Sequence, residues 1–132
     1  MPIASNLGFP RIGPDRELKR ALEAYWAGRS TADDLAAAAH DIRCANWQLQ
    51  ADAGIEHVPS NDFSLYDHVL DTAVMLGAIP GRFAHRAGLS NLDRYFAMAR
   101  GLADGGSSIP AMEMTKWFDT NYHYIVPELE PA

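Results

Sequence analysis

Cysteine is the scarcest informative residue in this chain: Cys44 is the only one among 132 residues. One thiol excludes an intramolecular disulfide framework and any zinc cage built from several cysteines. Long apolar runs are missing as well. The longest, Leu35 to Ala39, falls far short of the roughly 20 residues that a membrane span needs. The opening Met1-Pro2-Ile3-Ala4-Ser5-Asn6 has neither a basic segment nor an apolar stretch, so it does not read as a secretory signal. Positive charge is in deficit: 11 Lys and Arg face 17 Asp and Glu, a formal net charge of −6. That balance disfavours nonspecific binding to a phosphate backbone. These absences predict a cytoplasmic chain with no nucleic-acid partner and no membrane partner. No repeat, low-complexity tract or linker interrupts it, and 48% apolar residues suffice for a core, so residues 1–132 read as one unit.

A short opening strand, Ile3 to Leu7, leads into Gly8-Phe9-Pro10-Arg11-Ile12-Gly13-Pro14, whose glycines and prolines fix an irregular loop. A helix is expected from Pro14 or Asp15, with Leu18, Ala21, Leu22, Tyr25 and Trp26 on one face and Gly28 as its stop. Ser30 and Thr31, three residues ahead of Asp33 and Asp34, mark the start of a second helix that ends at Gly54. Its apolar stripe is Leu35, Ala38, Ile42, Ala45 and Leu49. So short a connection predicts a helical hairpin. Further along, strands are expected at Ile55–Pro59, Ile109–Met114 and Tyr122–Val126, and helices at Ser64–Leu76 and after Asn91 up to Gly101. Residues 78–88 and Asp104 to Ser108 read as loops. Alternating strands and helices predict an α/β fold with a parallel sheet. About three strand-helix units are too few for a closed eight-stranded barrel, which needs roughly 200 residues or more.

Two stretches carry chemistry. Arg11, Arg16, Lys19 and Arg20 place four cations in ten residues, and the last three share one helical face. That face suits a polyanionic ligand, or equally forms a solvated surface with Glu17 and Glu23 as partners. The second stretch, Glu113 to Tyr124, gathers carboxylate, amine, indole, amide, imidazole and phenol groups just after an expected strand. It suits either a ligand site with Lys116 on an anion or an aromatic core with polar tips. His40, His57, His68, His85 and His123 lack the spacing of a metal site. Asp67, His68 and Asp71 read as a structural neighbourhood on one helix, Trp47 as packing, and Cys44 as a buried thiol. No glycine cluster matches a dinucleotide fingerprint or a P-loop.

Taken together, five segments resemble the cobalamin-independent methionine synthases: Leu7-Gly8-Phe9-Pro10-Arg11-Ile12-Gly13, Arg16-Glu17-Leu18-Lys19, Tyr25-Trp26-Ala27-Gly28, Tyr66-Asp67-His68-Val69-Leu70, and Glu113 through Tyr124. Their order and spacing agree from about residue 6 to residue 128. The resemblance implies an enzyme that moves a methyl group from 5-methyltetrahydropteroyl-triglutamate to homocysteine through a zinc-bound thiolate. It also implies two face-to-face (β/α)8 TIM-type barrels, of which this chain matches the opening part of the N-terminal one, with its early helical hairpin. Zinc, its ligands, the homocysteine site and all catalytic residues are then expected in a C-terminal barrel outside these residues. Arg16, Glu17, Leu18 and Lys19 match the family's first folate-contacting stretch and Lys116 its second, with Asn121 and His123 as neighbours. Arg16 and Lys19 are expected to face the glutamate tail while Leu18 packs inward. On this reading the chain is inactive alone, and its open sheet edge favours self-association. A standalone folate-binding or assembly module derived from the same barrel is the alternative.

Overall fold

The computed structural model describes residues 2–104 and 107–130. Gly105 and Gly106, within the stretch read as a loop, lie outside the described residues, as do Met1, Pro131 and Ala132. Two compact units divide the chain, Met1–Leu65 and Tyr66–Ala132.

In the N-terminal unit, α1 (Glu17–Trp26) packs against α2 (Ala32–Asp52), the hairpin that the short connection predicted. Helix α2 starts where its sequence dictates. The Thr31 side chain accepts from the Asp34 N–H at 3.1 Å, and the Asp34 carboxylate accepts from the Thr31 N–H at 2.8 Å. This reciprocal capping box satisfies two donors that a helix start otherwise leaves orphaned. Leu18 and Leu22 of α1, with Leu35, Ala39 and Ile42 of α2, are the buried apolar positions. The α2 stripe departs from expectation at its C-terminal end. Leu49 is exposed, whereas Gln50 is buried, accepting from Asn6 Nδ2 at 2.8 Å and donating to the Asn46 carbonyl at 2.9 Å. Hydrogen bonding at both ends of its amide lets a polar residue take the inward position. The two expected strands around the hairpin reduce to one parallel bridge, Ser5 with His57, beside a shared acceptor: the Ala4 carbonyl receives the N–H groups of Glu56 and His57.

In the C-terminal unit the helices are α3 (His68–Met75), α4 (Gly81–Ala84) and α5 (Asn91–Arg100). Helix α3 begins four residues later than Ser64 because Asp67 caps it, accepting from the Leu70 N–H at 2.9 Å. Ser90, rather than Asn91, caps α5 by accepting from the Asp93 N–H at 3.0 Å. Helix α4 occupies part of the stretch read as loop. The expected run Ile109–Met114 is broken by Pro110, which has no N–H for a ladder. Its ends fall in two antiparallel hairpins, β1 (Leu102–Asp104) with β2 (Ser107–Ile109) and β3 (Met114–Lys116) with β4 (His123–Ile125). Direct connections as short as 117–122 permit only antiparallel pairing, since a parallel partner requires a crossover. Leu70, Phe83, Ala97, Met98, Ala99, Met112 and Ile125 form the core of this unit. The main chain threads that core, the Met112 N–H bonding the Met98 carbonyl at 2.8 Å.

The segment after β4 is tied to α4. Arg82 donates twice to Glu128, at 2.5 and 2.6 Å, and the Gly81 N–H donates to the Glu130 carboxylate at 3.0 Å. The paired guanidinium holds the Glu128 carboxyl below the usual carboxylate range. A lowered folded-state pKa gives a contribution that is full above the ordinary glutamate range and is lost as pH falls through the folded value. The pair is one-third exposed on both sides, so its contribution is at most about 1 kcal/mol. Acidification from neutrality to below the ordinary glutamate range should therefore release the segment, read as a shift of the Arg82 side-chain N–H resonances. Arg82→Ala should give the released state already at neutral pH; resonances that ignore pH would contradict the tie.

Candidate functional site

The first candidate stretch sits on a turn that builds the start of α1 without a side-chain cap. Arg16, at the N-cap position, has φ 62° and ψ 36°, a left-handed conformation that costs a non-glycine residue roughly 1–2 kcal/mol. The turn is held from inside. The Arg16 N–H donates to the Gly13 carbonyl at 3.2 Å, and the Leu18 N–H to the Ile12 carbonyl at 3.1 Å. Glu17 folds back, its Oε2 accepting from the Asp15 N–H at 3.1 Å. Gly13 makes room for that carboxylate: a Cβ there would lie 2.0 Å from Glu17 Oε2, and φ is +82°. Leu18 is buried at 1% exposure and anchors the helix, as its inward position predicted.

This arrangement leaves Arg16 and Lys19 on the exposed face of α1, with Arg20 beside them donating from Nη1 to the Asp15 carbonyl at 2.6 Å. Lys19 pairs with Glu23 at 3.5 Å, both about half exposed. A pair so exposed is worth about 0–1 kcal/mol, so a ligand carboxylate can replace Glu23 at little cost. Of the four residues 16–19, two therefore face outward with positive charge and two hold the turn in place. An apolar cleft of about 290 Å³ lies in the same unit, lined by Phe9, Pro10, Gly13, Pro14, Ala45, Asn46 and Leu49. Its wall is fixed by Asn46, which donates to the Pro10 carbonyl at 3.2 Å.

The second candidate stretch is the β3–β4 hairpin of the other unit. Lys116 and His123 stand directly opposite in the register, both exposed. The connecting turn is closed by the Trp117 N–H on the Tyr122 carbonyl at 2.9 Å and by the Thr120 hydroxyl on the Trp117 carbonyl at 2.6 Å. Phe118 adopts φ 49° in this turn; it and Arg16 are the non-glycine residues with positive φ among those described. The Trp117 ring meets those of Phe118 and Tyr124 edge-on, at centroid distances of 5.4 and 5.5 Å. Asn121 is exposed, and its carbonyl lies 3.1 Å from His123 Nδ1. Lys116, Asn121 and His123 thus belong to one hairpin, as Arg16 and Lys19 belong to one helix face.

Two polar residues that the sequence placed only in a structural neighbourhood and an expected strand, Asp67 and Tyr122, are linked in the fold. The Tyr122 hydroxyl donates to Asp67 Oδ1, and the Ile125 N–H donates to Oδ2 at 3.1 Å. The signal for Asp67 was its position ahead of an apolar helical run, the usual mark of an N-cap.

The zinc that the family resemblance implies does not fit the donors described here. Cys44 is exposed rather than buried, because it lies off the Leu35–Ala39–Ile42 stripe, and its Sγ is 3.4 Å from His40 Nε2. Those are two donors. Among the described residues no group of three His, Cys, Asp or Glu side chains can hold one ion. Nor is any helix among them long and apolar enough to cross a membrane.

Replacing Gly13 by Ala should displace Glu17 and destabilise the turn by about 1–2 kcal/mol in thermal or denaturant unfolding. Gly28→Ala, where nothing lies within 4 Å of the added Cβ, pays only for its φ of +66° and should cost less. Equal losses at the two positions would contradict the role given to Glu17.

A family model for the N-terminal domain of the cobalamin-independent synthases matches residues 3–132. Relatives named 5-methyltetrahydropteroyltriglutamate–homocysteine methyltransferase are similar over almost the whole chain. One from Caulobacter vibrioides is 58% identical over 97% of the chain and 18% of its own length. One from Kali turgidum is 59% identical over 98% of the chain and 17% of its own length. One from Flavobacterium johnsoniae is 60% identical over 94% of the chain and 16% of its own length. The chain thus spans about one-sixth of the length of the curated relatives it matches. On the match to residues 3–132, the chain belongs to the cobalamin-independent methionine synthase family, within its N-terminal domain.

Proposed function

We propose that this chain supplies the polyglutamate-tail contacts of a cytoplasmic methyltransferase. That enzyme moves a methyl group from 5-methyltetrahydropteroyl-triglutamate to homocysteine, producing methionine. The observation that carries the reading is the exposed cationic face of α1, with Arg16 and Lys19 turned outward while Leu18 and Glu17 hold the turn beneath them. A triglutamate tail bears several carboxylates spaced along a flexible chain. Arg16 suits one of them through its planar fork of donors, and Lys19 suits another as a mobile point charge. Lys116, beside His123 and Asn121 on the β3–β4 hairpin, is assigned to the same tail.

Backbone strain supports the assignment. The non-glycine residues held at positive φ, Arg16 and Phe118, fall in the two stretches that the family resemblance marks as ligand-contacting. Strain of this kind persists only where surrounding structure enforces it, and it concentrates at functional sites. The architecture we assign is the opening part of a (β/α)8 barrel. The parallel Ser5–His57 bridge, whose two sides are joined through α1 and α2, supports reading residues around 5 and 57 as its first two strands.

Among the described residues no group of three His, Cys, Asp or Glu side chains can hold a zinc ion. Methyl transfer therefore depends on parts of the family's polypeptide beyond these residues, and the chain alone is expected to be inactive. Its own residues bind and orient the tail. Because the contacts are exposed and charged, binding should weaken as ionic strength rises.

The test is titration of the purified chain with methyltetrahydropteroyl-triglutamate at low salt. Weak binding is expected, and the double substitution Arg16→Ala with Lys19→Ala should reduce it about tenfold. Unchanged affinity in the double variant would refute the assignment of the α1 face, and methyl transfer by the chain alone would refute its inactivity.

A further inference from the structure

We propose that Asp67 is a positioning residue for the Lys116 contact, acting through Tyr122 and β4; the inference rests on Lys116 touching the glutamate tail. Asp67 is 2% exposed, at the N-cap of α3, where an ionisable side chain is unusual unless its oxygens are fully used. They are used in two directions. Oδ2 accepts from the Leu70 N–H at 2.9 Å and from the Ile125 N–H at 3.1 Å, so one oxygen joins the first turn of α3 to β4. Oδ1 accepts from the Tyr122 hydroxyl, which belongs to the end of the turn between β3 and β4.

The hairpin is thus gripped at two points three residues apart, Tyr122 and Ile125, on either side of His123, the register partner of Lys116. Other ties at its ends are weaker in kind. The Val126 N–H on the Glu113 carbonyl, at 2.8 Å, only continues the ladder, and β3 and β4 have three residues each. A two-stranded hairpin of that length is marginal by itself in water. Its position is therefore set by what it is fastened to: the core in which Ile125 is buried, and the Asp67 carboxylate, which holds both the Tyr122 hydroxyl and the Ile125 N–H.

Asp67 is held in turn. Its N–H donates to the Tyr95 hydroxyl at 3.3 Å, which also receives the Tyr66 N–H at 3.1 Å and donates to Asp71 Oδ1 at 2.6 Å. Tyr95 lies on α5, so the carboxylate is fixed from α3 and α5 before it meets the hairpin. Removing the Tyr122 hydroxyl should free the turn while leaving the α3 cap in place, because that cap uses the other oxygen. Removing the carboxylate would take both.

Three variants of the full chain test this: Tyr122→Phe, Asp67→Asn and Lys116→Ala. Amide hydrogen exchange is read at Trp117 and at Gly101, a residue bonded within α5 and its cap. Affinity for the free γ-linked triglutamate peptide is read by NMR titration. In Tyr122→Phe, exchange at Trp117 should quicken about tenfold with Gly101 unchanged, and affinity should fall about threefold. Asp67→Asn, which keeps an oxygen for the Leu70 and Ile125 N–H groups and an amide to meet the Tyr122 oxygen, should restrict both effects to less than those of Tyr122→Phe. Adding Tyr122→Phe to Lys116→Ala should cost no further affinity. Unchanged exchange at Trp117 would overturn the Asp67 link itself. An equal further loss in the Lys116→Ala background would overturn its action through Lys116. Lys116→Ala binding the peptide as the parent does, with exchange still quickened in Tyr122→Phe, would overturn the tail reading of Lys116 and reduce Asp67 to a purely structural clamp.

Discussion

The C-terminal unit depends on the satisfaction of one buried carboxylate. Asp67 gathers a helix start, a strand and a tyrosine hydroxyl onto its two oxygens, and the Tyr95 hydroxyl fixes the adjoining main chain. Those partners lie on α3, on the β3–β4 hairpin and on α5, so none of these elements can shift alone without leaving a buried polar group unpaired. Such a group costs about 1–3 kcal/mol, more when it is charged. Apolar packing of Leu70, Ile125 and Met98 supplies bulk stabilisation, but it is non-directional. The hydrogen bonds to Asp67 set the register and orientation in which that core closes.

A different device serves the N-terminal unit. There the functional face of α1 is created by what points away from it. Leu18 anchors the first turn, Glu17 folds back over Gly13, and Arg16 accepts a left-handed backbone so that the loop can enter the helix. The cationic side chains are left outside, in the exposed Lys19–Glu23 pair and the Arg20–Asp15 carbonyl contact. In both units the backbone is held rigidly and the charges loosely. That combination suits a long flexible polyanion, which needs cations at defined positions but free to follow its carboxylates.

The elements most legible in the sequence were those specified by neighbouring residues. Thr31 and Asp34 start α2 through a reciprocal cap that any reader of local pattern can find, and Gly28, Gly54, Gly77 and Gly101 end helices at positive φ. Elements set by distant partners were harder. Ser64 and Asp67 are both good caps, and only the tertiary contacts of Asp67 decide between them. A four-residue helix such as α4 shows no periodicity to read. The strands were misjudged in partnership rather than in place: residues 109–114 and 122–126 do contain extended backbone, but Pro110 and short connections divide it into antiparallel hairpins. At the candidate sites, helical spacing put Lys19 and Arg20 away from the buried Leu18, but gave no sign of the left-handed backbone at Arg16, which precedes the helix. Gln50 inside and Cys44 outside did not follow from spacing, because the stripe of α2 rotates where Asn6 and Asn46 satisfy a buried amide.

The central claim is that the chain reads the carboxylates of a glutamate tail rather than the pterin to which the tail is attached. The most direct measurement compares, at one low ionic strength, the affinity of the chain for the monoglutamate and triglutamate forms of the same methyltetrahydrofolate. Two additional carboxylates meeting exposed cations should tighten binding about tenfold for the triglutamate. Equal affinities for the two forms would contradict the account.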